Sequence, residues 1–188
     1  MRICVYCASS SSIDPRHLAL ATAVGEAIAA REWDLVSGGG RVSMMGAVAT
    51  AVRGGGGHTI GVIPEGLRRL EDEDTDADEL VVVPDMRTRK ARMEAEADAF
   101  LMLPGGIGTL EEFFEAWTAR YLGLHDKPVV VLDPDGVFDS MRAALDDLAC
   151  AGFVRQAAFD RLTWTADVAA ALDACQARRP SVHGTIDA

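Results

Sequence analysis

Two glycine-rich segments carry the first chemical signal in this 188-residue chain. Ser37-Gly38-Gly39-Gly40-Arg41-Val42-Ser43-Met44-Met45-Gly46 and Pro104-Gly105-Gly106-Ile107-Gly108-Thr109 each follow a short apolar run and lead into a stretch of helical periodicity. Glycines at a strand-to-helix turn let backbone N–H groups approach an anion, while the helix N-terminus supplies about half a positive charge. Two such turns in one sheet point to a phosphate; tight turns without a ligand are the plainer alternative. Neither segment is a Walker loop, because no Gly-Lys-Ser/Thr follows, and neither has the spacing of a dinucleotide fingerprint. ATPase and nicotinamide-dehydrogenase readings lose most of their weight on that ground. A third segment, Ala8-Ser9-Ser10-Ser11-Ser12, follows the first apolar run with small hydroxyl residues able to bond a ligand or cap a helix.

Two charged residues stand out beside these turns. Met86, Arg89, Met93 and Glu96 share one helical face, and an arginine between methionines on a half-buried face needs an anionic partner. A structural ion pair would satisfy it as well as a ligand would. After the second turn, Leu110, Phe113, Phe114, Trp117 and Tyr121 form an apolar stripe. Glu112 lies nearly opposite that stripe, so periodicity makes it exposed unless a ligand or a second subunit covers it. Lys90 and Lys127 are the only lysines, so Schiff-base chemistry has two candidates. Cys4 and Cys7 form a CxxC pair inside an apolar run with no second pair and no nearby His, which favours buried thiols over a metal site.

The elements that must position these residues alternate. Short apolar runs at 2–6, 34–36, 58–63, 80–83, 99–103 and 128–132 read as strands, and 15–31, 44–52, 85–97, 110–122, 137–151 and 166–177 read as helices. Apolar strands separated by helices make a mostly parallel sheet covered on both faces, a single doubly wound, Rossmann-like α/β domain over residues 1–179. In such sheets ligands bind outside the carboxyl ends of the strands, where both glycine turns fall. Residues 71–79 carry seven acidic side chains in nine and read as a solvated loop; residues 180–188 read as a flexible tail.

With 18 Lys+Arg against 29 Asp+Glu, the net charge of −11 argues against a nucleic-acid surface and makes any phosphate site local. No apolar run approaches the roughly 20 residues of a membrane span and no signal pattern is present, so a cytoplasmic protein with no membrane partner is expected.

At these residues the sequence resembles the LOG family of cytokinin-activating phosphoribohydrolases. The family's PGGxGTxxE element stands here as Pro104-Gly105-Gly106-Ile107-Gly108-Thr109-Leu110-Glu111-Glu112, preceded by an RK pair at Arg89-Lys90. Its GGGxxGLMG segment becomes Gly38-Gly39-Gly40-Arg41-Val42-Ser43-Met44-Met45-Gly46, with Ser43 in place of a glycine, and its early CGSS becomes Cys7-Ala8-Ser9-Ser10. The resemblance implies hydrolysis of the N-glycosidic bond of adenine-type nucleoside 5′-monophosphates, a homodimer or an assembly built from dimers, and no metal or organic cofactor. It makes Arg89 and Glu112 the catalytic pair. It assigns nucleotide binding to Lys90, Gly105, Gly106, Ile107, Gly108, Thr109, Leu110 and Glu111, with Thr118 and Glu71 as further substrate contacts. Ser9, Gly39, Gly40 and Ser43 join them as the remaining loop and turn positions around the phosphate. The competing reading is a nucleotide sensor or carrier on the same fold that lacks turnover.

Overall fold

Strand β1 (Arg2–Tyr6) holds the centre of the molecule because its residues are buried on both sides, with Ile3 and Cys4 fully inaccessible. A strand with two buried faces has to be flanked by helices on each, which is the requirement of parallel pairing. In the computed structural model, which describes residues 1–70 and 72–177, that requirement is met throughout. The sheet contains β2 (Asp34–Ser37), β3 (Thr59–Pro64), β4 (Glu79–Val83), β5 (Ala99–Met102), β6 (Val129–Leu132) and β7 (Leu162–Thr165). Their order is β4-β3-β2-β1-β5-β6-β7, and every pairing is parallel. This is the doubly wound α/β architecture expected from the alternation. The expected tail at 180–188 lies outside the described residues, as does Glu71.

The two-residue period of each strand sorts the core into two layers. Ile3, Val5, Leu35, Leu101 and Val130 face α1 (Pro15–Ala29), α2 (Ser43–Gly54) and α7 (Val168–Gln176). Cys4, Tyr6, Val36, Phe100 and Val129 face α3 (Met86–Glu96), α4 (Ile107–Tyr121), α5 (Asp139–Cys150) and α6 (Gln156–Phe159). From β1 the chain first walks outward through β2, β3 and β4, then returns to place β5 on the other side of β1. The carboxyl ends of β1 and β5 therefore flank the switch point at which a crevice opens.

Beyond shifts of one or two residues at element ends, and the short helix α6, which is not expected, three features differ from the sequence expectation. Strand β7 is not expected at all: its Leu-Thr-Trp-Thr sequence is half-buried at the sheet edge and offers no continuous apolar run. Helix α4 starts at Ile107, three residues before its apolar stripe, so its first turn includes the glycine segment itself. The acidic run is the third correction. Asp72, Thr75, Asp76, Asp78 and Glu79 are exposed, but Asp74 is only 2% accessible and accepts hydrogen bonds from Arg53 Nη1 at 2.8 Å and Nη2 at 3.3 Å.

The same run is stitched to the first glycine turn. Asp74 N–H donates to the Gly39 carbonyl at 2.8 Å, Arg41 N–H donates to the Asp72 carbonyl at 2.9 Å, and Gly40 forms an antiparallel bridge with Glu73. Arg68 Nε donates to Glu73 at 2.5 Å. Charge density along the sequence signals a solvated loop, but it contains no record of Arg53, twenty-one residues away, whose guanidinium makes the burial of one carboxylate affordable. Removing one partner of such a pair strands the other, so Asp74→Ala is expected to lose about 3 kcal/mol of stability in urea unfolding. A loss below about 0.5 kcal/mol would mean that the loop is not anchored through this pair.

Candidate active site

The site is built around Arg89. The Asp85 carboxylate accepts from Thr88 N–H at 2.8 Å and fixes the start of α3, and one turn past Arg89 the 1% accessible Met93 packs into the core. This i, i+4 pair turns Arg89 inward, where it is only 5% accessible. Its Nη2 donates to the Gly38 carbonyl at 2.8 Å, and its Nη1 lies 3.7 Å from the Met86 sulfur. A Cβ at position 38 would sit 1.9 Å from Nη2, so with a side chain there the guanidinium would have to leave this position. The first glycine of that turn thus makes room for a cation, and Gly39, at φ +75°, supplies the left-handed bend that follows.

The second turn approaches from the other side of β1. Gly105 lies beneath Thr109, whose hydroxyl would be 2.2 Å from any added Cβ, and Gly106 occupies the N-cap position of α4 without a side-chain cap. The first N–H groups of α4 are left for a ligand or solvent, at the positive end of a 15-residue helix. Between the two turns lies a pocket of about 210 Å³. Its walls come from Cys7, Ala8, Ser9 and Ser10 after β1, Met45 of α2, Met86 and Arg89 of α3, and Gly106, Ile107, Gly108, Thr109 and Glu112 of α4.

Seven of the residues expected at a site therefore converge: Arg89, Glu112, Ser9, Gly106, Ile107, Gly108 and Thr109. Glu112 is partly buried in this chain alone, where periodicity puts it on an exposed face. The stripe Phe113 and Trp117 does enter the core, but the first turn of α4 sits low in the crevice, which turns Glu112 toward β1. Its charge is felt there: burial first and Glu112 second push the Cys4 and Cys7 thiols well above their ordinary range, and burial, with Cys4 and Glu112 behind it, does the same to Tyr6. Cys4, Tyr6 and Cys7, of which Cys7 lines the pocket, are therefore neutral at physiological pH.

The other candidates sit elsewhere. Lys90 points away from the pocket walls and pairs with Glu111 and Glu115 of α4; burial opposes its charge, but the bonds to Glu111 and Glu115 prevail and raise its pKa. Leu110 packs partly buried against the α4 core layer. Gly39, Gly40 and Ser43 belong to the neighbouring turn rather than to the pocket wall, and Ser43 holds φ +54° with its hydroxyl bonded to the Ser10 carbonyl. Thr118 is exposed on the distal half of α4, beside a separate groove of about 610 Å³ lined by Tyr121, Phe153 and Arg155. Lys127, the other lysine, donates to the Glu94 carbonyl at 2.5 Å, so neither lysine reaches the pocket and a Schiff-base site finds no residue there. Met45 and Ala8 lie in segments that the sequence singles out without being named as site residues, Cys7 reads as a buried thiol, and Met86 reads as a helix-face neighbour of Arg89; the positions of the β1 terminus, α2 and α3 bring all four to the pocket.

The chain resembles known proteins over most of its length. A family model described as "Possible lysine decarboxylase" matches residues 45–175. A cytokinin riboside 5′-monophosphate phosphoribohydrolase of Mycobacterium marinum is 54% identical over 173 residues, 92% of each chain. The Mycobacterium tuberculosis protein of that name is 53% identical over 176 residues, again 92% of each, and LOG7 of Arabidopsis thaliana is 45% identical over 153 residues, 81% of this chain and 70% of that one. Among solved structures, the molybdenum cofactor binding protein of Rippkaea orientalis superposes with a TM-score of 0.69 at 20% identity, covering 92% and 93% of the two chains. The Moco carrier protein of Chlamydomonas reinhardtii reaches 0.69 at 24%, covering 93% and 94%. These two likenesses speak to the fold. With relatives above 50% identity along nearly the whole chain, and with PGGxGTxxE and the preceding arginine meeting at one pocket, the chain belongs to the LOG family.

Proposed function

We propose that this protein hydrolyses the N-glycosidic bond of adenine-type nucleoside 5′-monophosphates, cytokinin nucleotides among them, releasing the free base and ribose 5-phosphate. The observation that carries the reading is the meeting of Arg89 and Glu112 in one pocket beside an uncapped helix N-terminus. Breaking an N-glycosidic bond builds positive charge on the ribose and negative charge on the departing base. Glu112 is the group to stabilise the oxocarbenium-like sugar and to orient or deprotonate the attacking water. Arg89 holds the nucleotide and offsets negative charge near the scissile bond. The phosphate rests on the N–H groups of Gly106, Ile107, Gly108 and Thr109, with Gly105 allowing the close packing beneath and Ser9 closing the opposite wall. Water is the only co-reactant this chemistry needs.

A sensor or carrier would bind the same ligand without turnover. Glu112 weighs against that alternative, because a carboxylate beside a bound phosphate weakens affinity and is useful only if charge of the opposite sign develops in the transition state. A homodimer is the assembly we favour: Thr118, Tyr121 and the 81% exposed Phe153 lie around an apolar groove on the distal half of α4, a surface suited to a second copy. Light scattering should give about twice the 20.0 kDa chain mass in the micromolar range; a 20.0 kDa particle at all concentrations would remove the dimer.

Chromatography of bases released from AMP, prenylated AMP, GMP and CMP tests the activity directly, and the adenine nucleotides should be cleaved. Adenosine should be a poor substrate, because each charge-assisted bond to phosphate is worth roughly 1.5–3 kcal/mol; equal kcat/KM for adenosine and AMP would remove the phosphate site. Glu112→Gln should lower kcat by at least ~10² while nucleotide still binds, whereas Arg89→Ala should weaken binding as well as turnover. Near-normal kcat in Glu112→Gln would favour the carrier reading.

A further inference from the structure

Ser43 is the first residue of α2, and its backbone is in a region that its side chain disfavours. It holds φ +54°, where glycine is at ease and a residue with a Cβ is crowded. A strained position persists only where something around it compensates, and such positions gather at functional sites. The compensation here is specific. The Ser43 hydroxyl does not cap its own helix; the N-cap position, Val42, makes no side-chain cap bond either. The hydroxyl instead donates to the Ser10 carbonyl at 2.5 Å, thirty-three residues away in sequence.

That bond falls on a segment that has little else to hold it. Residues 9–12 are exposed, so packing does not set their conformation. The segment is fastened at its ends, by Ala8 N–H to the Pro104 carbonyl at 3.1 Å and by the Asp14 carboxylate capping α1 through Arg16 N–H at 2.9 Å. Ser43 grips it between those ends, next to the two residues, Ser9 and Ser10, that form the wall of the pocket. Met45, two residues on, lines the same pocket, so one helix terminus contributes a wall residue and fixes the wall across from it.

We infer that Ser43 is a positioning residue: its left-handed backbone aims a hydroxyl that clamps the Ser9–Ser10 wall against the substrate, without Ser43 touching the substrate itself. The inference rests on the nucleotide-hydrolase reading of the pocket. It predicts that ligand affinity and folding stability respond differently to substitution at this position. Ser43→Gly removes the clamp and relieves the backbone, while Ser43→Ala removes the clamp and keeps the strain.

The test measures KM and kcat for AMP, thermal melting, and backbone amide NMR order parameters of residues 9–12 in the ligand-free wild type and both variants. KM should rise about three- to tenfold in both variants, the worth of one hydrogen bond, with kcat within twofold. Ser43→Gly should melt higher than Ser43→Ala, and the order parameters of residues 9–12 should fall in both. Unchanged KM and order parameters in the variants would overturn the clamp, as would a KM that rises only in the less stable variant. If the wild type cleaves no nucleotide while the variants still lower the order parameters at 9–12, the functional reading fails and the clamp stands; if it cleaves AMP and the order parameters are unchanged, the clamp alone fails.

Discussion

Everything at the carboxyl edge of the sheet is arranged around a guanidinium that is almost out of reach of water. A guanidinium at 5% accessibility is costly to bury without acceptors, and its Nη2 donates to the Gly38 carbonyl at 2.8 Å. That one demand propagates outward. It leaves no room for a side chain at 38 while the guanidinium holds this position, and Met93 anchors the next turn of α3. It also places a guanidinium at the switch point between β1 and β5, the crevice where α4 begins. A charged group held this way is poised for an anion before any ligand arrives, and such preorganisation is what electrostatic catalysis depends on.

The glycines around it divide their tasks. Gly38 yields space to a cation, Gly39 provides a left-handed bend, Gly105 allows the close approach of Thr109, and Gly106 leaves the start of α4 uncapped. Only the last is a direct invitation to phosphate. The acidic segment that follows β3 is no bar to an anion site, because three of its charges are paired locally: Asp74 with Arg53, Glu73 with Arg68, Asp72 with Arg41. Their backbone bonds then hold the glycine turn from behind. An acidic protein can thus carry an anion site, because local pairing and screening make the charges around the site matter more than the net charge.

The same doubly wound frame serves proteins described as molybdenum-cofactor carriers, so the sheet by itself cannot select between holding a ligand and cleaving it. The selection lies in side chains at the strand ends. On the function we propose, Glu112 facing a pocket that also contains Arg89 suits a reaction in which positive charge appears on a sugar better than it suits storage.

Six of the seven strands, their order and the glycine turns were legible from the chain alone, because burial on both faces of a parallel sheet forces apolar runs and because glycine is the residue most at ease where backbones bend left-handed or crowd; the half-buried edge strand β7 offers no such run. The convergence of Arg89 and Glu112 on one pocket was legible only through the family motif; periodicity by itself assigned Glu112 to solvent. What the tertiary structure decided were relations between residues far apart in sequence. It buried Asp74 against Arg53, set Arg89 against Gly38, bound Lys90 to α4 rather than to the pocket, and joined Ser43 to Ser10. Local sequence encodes which conformations a segment can adopt, since propensity and periodicity act over a few residues. Which charges meet is set by packing helices on a sheet, and a burial pattern one segment long holds no information about a partner that only the folded chain brings within 3 Å.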